Sequence, residues 1–136
     1  MKFLFLMDPL ESINMEKDTT FILMHESHAQ GHEVHYVAKD GISLIEGKVY
    51  FTTTKVIPQM VIHEPFRISG INYLSQDEIH AVFVRPDPPV DEQYLMNTWL
   101  LDHLPKHIPV INNPNGIRTV NEKIWSAQFT DITPAT

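Results

Sequence analysis

The strongest constraint in this chain is a repeated punctuation: a short unbroken apolar run that stops at a polar residue next to proline. Phe3-Leu4-Phe5-Leu6-Met7 stops at Asp8-Pro9, and Ala81-Val82-Phe83-Val84 stops at Arg85-Pro86-Asp87-Pro88-Pro89. Pro109-Val110-Ile111 stops at Asn112-Asn113-Pro114. A run with no apolar/polar alternation has no face to offer water, so it fits a strand covered on both sides, as in a parallel sheet. Proline ends each run because it has no N–H to give to the ladder.

Parallel strands need crossovers, and the sequence supplies them. After the first run come a polar loop, Asp18 as an N-cap, an apolar stripe of Phe21, Ile22, Met24 and Ala29, and Gly31 as a C-terminal stop. The β-rich E-V-H-Y-V-A of residues 33–38 follows, which completes a βαβ unit. Asp91 opens a second helix through Tyr94, Leu95, Trp99, Leu100, Leu101 and Leu104, closed near Pro105. Ile117, Val120, Ile124 and Ala127 predict a third helix. Residues 43–45 and 48–54 flank Glu46-Gly47 and read as a hairpin with a two-residue turn, placed at a sheet edge. Residues 58–76 carry Pro58, Pro65 and Gly70 as breakers and yield no clear element. The reading is an α/β, Rossmann-like domain: a mainly parallel sheet, helices on both faces and an edge β-hairpin. A length of 136 residues suits one such domain and its core.

Composition removes several function classes. Ten Lys+Arg stand against 17 Asp+Glu, a net charge of −7, and no basic run offsets it, so nucleic acid is not an expected partner. There are no cysteines, hence no disulfide framework, thiolate zinc site or Cys nucleophile. The opening residues lack a signal-peptide core, and no stretch is long and apolar enough to span a membrane. The expectation is a soluble, cytoplasmic protein. Serine, histidine and aspartate are present without a nucleophile-elbow signature.

Right-handed crossovers bring the C-terminal ends of parallel strands to one edge, where such sheets bind ligands. The three proline-punctuated loops then meet there. Arg85 offers a planar fork for a carboxylate, and Asp8 and Asp87 can accept from an amine. The bland reading is that the prolines merely end strands and that Asp87 caps a turn or pairs with Arg85. The glycines are scattered and form neither GxGxxG nor GxxxxGK[ST]; after the first strand stands Pro9-Leu10-Glu11-Ser12. Dinucleotide binding of the usual kind is therefore not expected. His25, His28, His32 and His35 would share a helical face only if the helix ran on, and Gly31 should break it, so packed or solvated histidines are favoured over a metal site. Arg118, Asn121, Glu122 and Lys123 read as a solvated face with local ion pairs, or as a docking surface.

Several of these segments, in order, resemble the prokaryotic glutathione synthetases. They are Met7-Asp8-Pro9 with Ile13-Asn14 and Lys17-Asp18-Thr19-Thr20-Phe21, then Gly31-His32-Glu33-Val34-His35-Tyr36, then Val84 to Pro89. Asn112-Asn113-Pro114-Asn115-Gly116-Ile117-Arg118 with Asn121-Glu122-Lys123 follows, and residues 129–136 match the exit from that segment. Pro86 and Asn113 stand where the family pattern has lysine, so roles of those lysines do not carry over. The resemblance implies a pre-ATP-grasp substrate domain over residues 1–129, with residues 130–136 opening a linker to an ATP-grasp region. It implies parent proteins roughly twice as long, which join γ-glutamylcysteine to glycine using ATP and Mg²⁺. It places nucleotide and metal in the following region, so this chain is expected to hold no cofactor, no metal and no catalytic residue, and to be inactive alone. Substrate contacts are then expected from Asp8, Arg85, Asp87, Asn112 and Arg118, in a homo-oligomer. The competing readings are a stand-alone Rossmann-like binding or dimerisation module, pairing through the strand of residues 49–56, and the N-terminal domain of another ATP-grasp ligase.

Overall fold

The computed structural model describes residues 1–121 and 124–133. Its strands are β1 (Lys2–Leu6), β2 (Glu33–Val37), β3 (Ile42–Ile45), β4 (Lys48–Pro58), β5 (Phe66–Ser75), β6 (Ala81–Val84) and β7 (Val110–Ile111). Its helices are α1 (Thr19–Ala29), α2 (Glu92–Leu101) and α3 (Pro114–Thr119). One sheet runs in the order β3-β4-β2-β1-β6-β7, with β5 added on β4. β2, β1, β6 and β7 are mutually parallel, while β4 is antiparallel to β2, β3 and β5.

The apolar run of β1 behaves as its composition requires: Leu4, Phe5 and Leu6 are all fully buried. Consecutive residues point to opposite faces, so each face needs its own cover. Leu4 and Leu6 join Val82, Val84, Tyr94 and Leu101 in a core under α2. Phe5 and Met7 join Phe21, Met24, Val34 and Phe66 in a core under α1. Fully burying one such side chain contributes about 1.5–3 kcal/mol.

Local chemistry sets the element ends. Asp18 Oδ1 accepts from the N–H groups of Thr20 at 2.7 Å and Phe21 at 3.1 Å, which satisfies two free donors at the start of α1. Gly31, at φ +83°, takes the left-handed conformation that ends α1 cheaply. Asp91 caps α2 by accepting from Tyr94 N–H at 2.8 Å. The β3–β4 turn has Glu46 and Gly47 both at positive φ, the pairing that suits two-residue hairpins.

Three expectations need correction. Residues 58–76 are not structureless: β4 continues to Pro58, and β5 fills Phe66–Ser75 with a bulge at its middle, beside Gly70. β4 has no free edge over residues 49–56, because β3 and β2 pair along one side and β5 along the other. The third helix stops at Thr119, where Val120 turns extended, and a short 3-10 turn follows at Trp125–Gln128. Of its expected apolar stripe, Ile117 packs half-buried against the core under α2, whereas Ile124 is 77% exposed. Glu122, Lys123 and residues 134–136 of the expected linker lie outside the described residues.

Candidate functional site

β1 has β2 on one side and β6 on the other, so the order of the parallel strands reverses at β1. This is a topological switch point, and the gap outside the C-terminal ends of β1 and β6 is the place where α/β sheets accept ligands. A crevice of about 180 Å³ opens there. Its floor is the end of β1 (Met7, Asp8), one wall is the β6 exit (Arg85, Asp87), and the other is the approach to α1 (Ser12, Ile13, Lys17, Asp18, Thr19, Thr20).

Asp8 fastens three strand ends together. Its Oδ2 accepts from the backbone N–H of Asp87 at 2.6 Å, and its Oδ1 lies 3.1 Å from Lys39 Nζ, just beyond β2. Both side chains of the Asp8–Lys39 pair are about a quarter to a third exposed. Arg85 is oriented differently. Its Nε donates to Thr20 Oγ1 at 3.1 Å, and one terminal nitrogen donates to Thr19 Oγ1 at 3.0 Å. Among the described residues no carboxylate lies within ion-pairing distance of this guanidinium. A cation fixed by neutral hydroxyls keeps its charge available to a visiting anion, whereas one already paired does not. Asp87 supplies an acceptor on the same wall.

Two phenols near the strand ends have raised pKa values. Burial is the main cause for Tyr94, with Asp8 and Asp87 adding to it and Arg85 and Lys39 opposing. Burial also leads for Tyr36, followed by Glu11, Asp40 and Asp8. Both stay protonated and neutral near pH 7.

Of the five residues picked from the sequence, Asp8, Arg85 and Asp87 meet in the crevice, and Asn112 and Arg118 do not line it. Asn112 Nδ2 donates to the carbonyl of Val84 at 3.3 Å, at the root of the Arg85 loop. Arg118 ties α3 to the end of α2 through Asp102, 2.6 Å away. Sequence reasoning missed Ser12, Lys17, Thr19, Thr20 and Lys39. The signal for four of them was the N-cap at Asp18, which fixes where α1 starts and so what lies at the ligand edge.

The histidines do not gather. His25 and His28 ride on α1, while His35 is buried in β2 with its Nδ1 3.0 Å from Thr53 Oγ1. No group of three or more potential metal ligands occurs among the described residues. No described helix is long and apolar enough to cross a membrane.

Comparison with known proteins adds a family. A model described as "Prokaryotic glutathione synthetase, N-terminal domain" matches residues 1–118. Among similar curated proteins, the glutathione synthetase of Citrobacter rodentium is 32% identical over 131 residues, covering 96% of this chain and 42% of the relative. That of Vibrio cholerae serotype O1 is 33% identical over 134 residues, covering 96% and 41%, and that of Escherichia coli K12 is 31% identical over 131 residues, covering 96% and 42%. The chain therefore spans less than half the length of these relatives.

Proposed function

The chain belongs to the family of prokaryotic glutathione synthetase N-terminal domains, and on that premise we propose that its switch-point crevice receives the amino-acid head of γ-glutamylcysteine. An α-amino-acid head carries a carboxylate and an ammonium side by side. Arg85, with Lys17 opposite, supplies positive charge for the first, and Asp87 supplies an acceptor for the second. Asp8 and Asp18 are already engaged, by Lys39 with the Asp87 N–H and by the α1 cap, so they frame the site. The observation that carries this reading is the Arg85 guanidinium, held by two threonine hydroxyls and within ion-pairing distance of no acid among the described residues.

The parent activity in this reading is ATP-dependent ligation of γ-glutamylcysteine to glycine. The residues of this chain do not fit ATP–Mg²⁺ themselves. The first strand leads into Pro9-Leu10-Glu11-Ser12 where a phosphate-cradling loop would need glycines, and no metal-ligand cluster occurs among the described residues. Nucleotide and metal binding is assigned to the further length that the relatives possess. This chain then contributes substrate positioning, and by itself releases no ADP.

Backbone-amide NMR of the labelled chain, titrated with millimolar γ-glutamylcysteine, tests the reading. Shifts centred on Asp8, Thr19, Thr20 and Asp87 that vanish in Arg85→Ala are expected. No shifts at saturating dipeptide, or shifts elsewhere that survive Arg85→Ala, would overturn it.

A further inference from the structure

The sheet-facing side of α2 carries polar groups where a helix over a core needs none. Tyr94, Asn97 and Thr98 are all buried, and a buried polar group left unpaired costs stability. Two of the three are satisfied. Asn97 Nδ2 donates to the Lys39 carbonyl at 2.8 Å, where Gln93 Nε2 also donates at 3.1 Å, and Thr98 Oγ1 donates to the Leu95 carbonyl at 2.7 Å. Tyr94 is the exception. The residue is only 7% exposed, yet its hydroxyl has no hydrogen-bond partner among the described residues. The unpaired atoms sealed from solvent there are His35 Nε2 and Arg118 Nη1, so the Tyr94 oxygen itself reaches solvent.

The ring is fully employed in the fold. It belongs to the core under α2 with Leu4, Leu6, Val84 and Leu101, and the Asp91 cap, accepting from the Tyr94 N–H, fixes the turn that carries it. Phenylalanine would fill the same space and leave no polar atom to satisfy, so the fold gains nothing from the oxygen. Its surroundings say what it can serve. The charges that act on it are Arg85, Asp8, Lys39 and Asp87, the groups gathered just beyond the ends of β1, β2 and β6. Tyr94 does not line the crevice itself. It comes to the same strand ends from the layer of α2, whereas the crevice wall of Thr19 and Thr20 belongs to α1.

We propose that the Tyr94 hydroxyl is a further substrate-binding group, donating a hydrogen bond to the γ-amide carbonyl of the dipeptide where the ligand leaves the crevice. This rests on the reading of the crevice as the site of the amino-acid head, and carries it past the head. With Arg85, Lys17 and Asp87 taking the head, the rest of the dipeptide continues outside the crevice, over the strand ends. Burial, with Asp8 and Asp87 adding and Arg85 and Lys39 opposing, keeps the phenol protonated, so it acts as a neutral donor. Beyond the head the dipeptide offers two kinds of acceptor, the γ-amide carbonyl and the cysteinyl carboxylate. Asp8 and Asp87 repel a second carboxylate at this place and leave the uncharged carbonyl as the fitting partner. A site built to hydrogen-bond a polar group also rejects analogues that lack it, so Tyr94 would help to distinguish a γ-glutamyl amide from a plain amino acid.

Titrating Tyr94→Phe beside the parent chain by backbone-amide NMR tests this group. The substitution removes one oxygen that holds nothing in the fold, so Tm should not fall. The Kd for γ-glutamylcysteine should rise about three- to tenfold, the contribution of one neutral hydrogen bond. The shifts at Thr19, Thr20 and Asp87 should keep their pattern at saturation, because the head still sits in the crevice. Dipeptide isotope-labelled at the γ-carbonyl reads the acceptor directly: its carbon resonance should move downfield on the parent chain and by less on Tyr94→Phe. An unchanged Kd in Tyr94→Phe overturns the proposal, and so does an equal carbonyl shift on the two proteins. A lowered Tm overturns it as well, because the hydroxyl then holds the fold. Each of these failures leaves Arg85-dependent binding in place. A parent chain without Arg85-dependent binding is a different failure, which overturns the reading of the crevice and this extension with it.

Discussion

Asp8→Ala should loosen the crevice by a predictable amount. The carboxylate accepts one charge-assisted hydrogen bond, from Asp87 N–H at 2.6 Å, and faces Lys39 at 3.1 Å. A hydrogen bond to a charged group contributes about 1.5–3 kcal/mol when well shielded. With a quarter of the Asp8 side chain exposed, the low end applies. The Lys39 pair adds about 0.2–1 kcal/mol, as a partly solvated ion pair does. Asp8→Ala should therefore cost about 2 kcal/mol. Asp8→Asn keeps an acceptor for the Asp87 N–H and loses only the charge, so about 1 kcal/mol is expected. Lys39→Ala should cost less than about 1 kcal/mol. For a chain of this size each kcal/mol lowers Tm by about 4 °C, giving about 8 °C for Asp8→Ala, about 4 °C for Asp8→Asn and less than about 4 °C for Lys39→Ala. Urea unfolding followed by circular dichroism supplies the same differences as shifts in midpoint at constant slope. The double variant Asp8→Ala/Lys39→Ala should cost less than the sum of the singles by the pair's own coupling. The reasoning fails if Asp8→Ala lies within about 0.5 kcal/mol of the parent, or if Lys39→Ala costs as much as Asp8→Ala.

Two further outcomes follow from the same structure. Burial holds the His35 imidazole below its ordinary pKa of 6.5, with Glu33 partly opposing, while its Nε2 lies 3.6 Å from Glu33 Oε2, too far for a hydrogen bond. The unfolded chain then binds the proton first, so stability should fall as pH drops below about 6.5 toward the lower folded value; pH-dependent urea midpoints should show this slope, and His35→Gln should flatten it. Glu33, held below its ordinary 4.5 chiefly by the Lys55 hydrogen bond, adds a second loss at lower pH. Gly41→Ala should destabilise by about 1–3 kcal/mol, since a Cβ there would sit 2.9 Å from the Thr52 carbonyl and 3.0 Å from Ala38 O and Val37 Cγ1; an unchanged Tm would contradict that packing.

What the sequence reveals here depends on whether a signal is local. The buried run of β1, the Asp18 and Asp91 caps and the Glu46-Gly47 turn each lie within a few residues and each read correctly. β5 was illegible because its bulge breaks the period of two and Gly70 imitates a loop. The third helix failed for the opposite reason: a correct helical period promised a buried stripe, but Ile117 is only partly buried against the core, Val120 is 40% exposed and Ile124 is 77% exposed. The crevice divides the same way. Asp8, Arg85 and Asp87 were visible as strand ends. The Arg85–Thr20 bond joins residues 65 apart, and Asp8–Lys39 depends on β1 and β2 being neighbours, so neither pairing could be read before the topology was known.

β4 enters both cores: Val49 and Phe51 serve the layer under α2, and Val56 serves the layer under α1. The strand is long enough for its buried side to change face midway, so one continuous backbone is a structural member of two layers. Neither helix can lift from the sheet without disturbing a strand that the other also holds. Local opening of a single layer is thereby made expensive, and the domain should melt as one cooperative unit. When such a domain moves, its two layers and the sheet between them shift together as one rigid body.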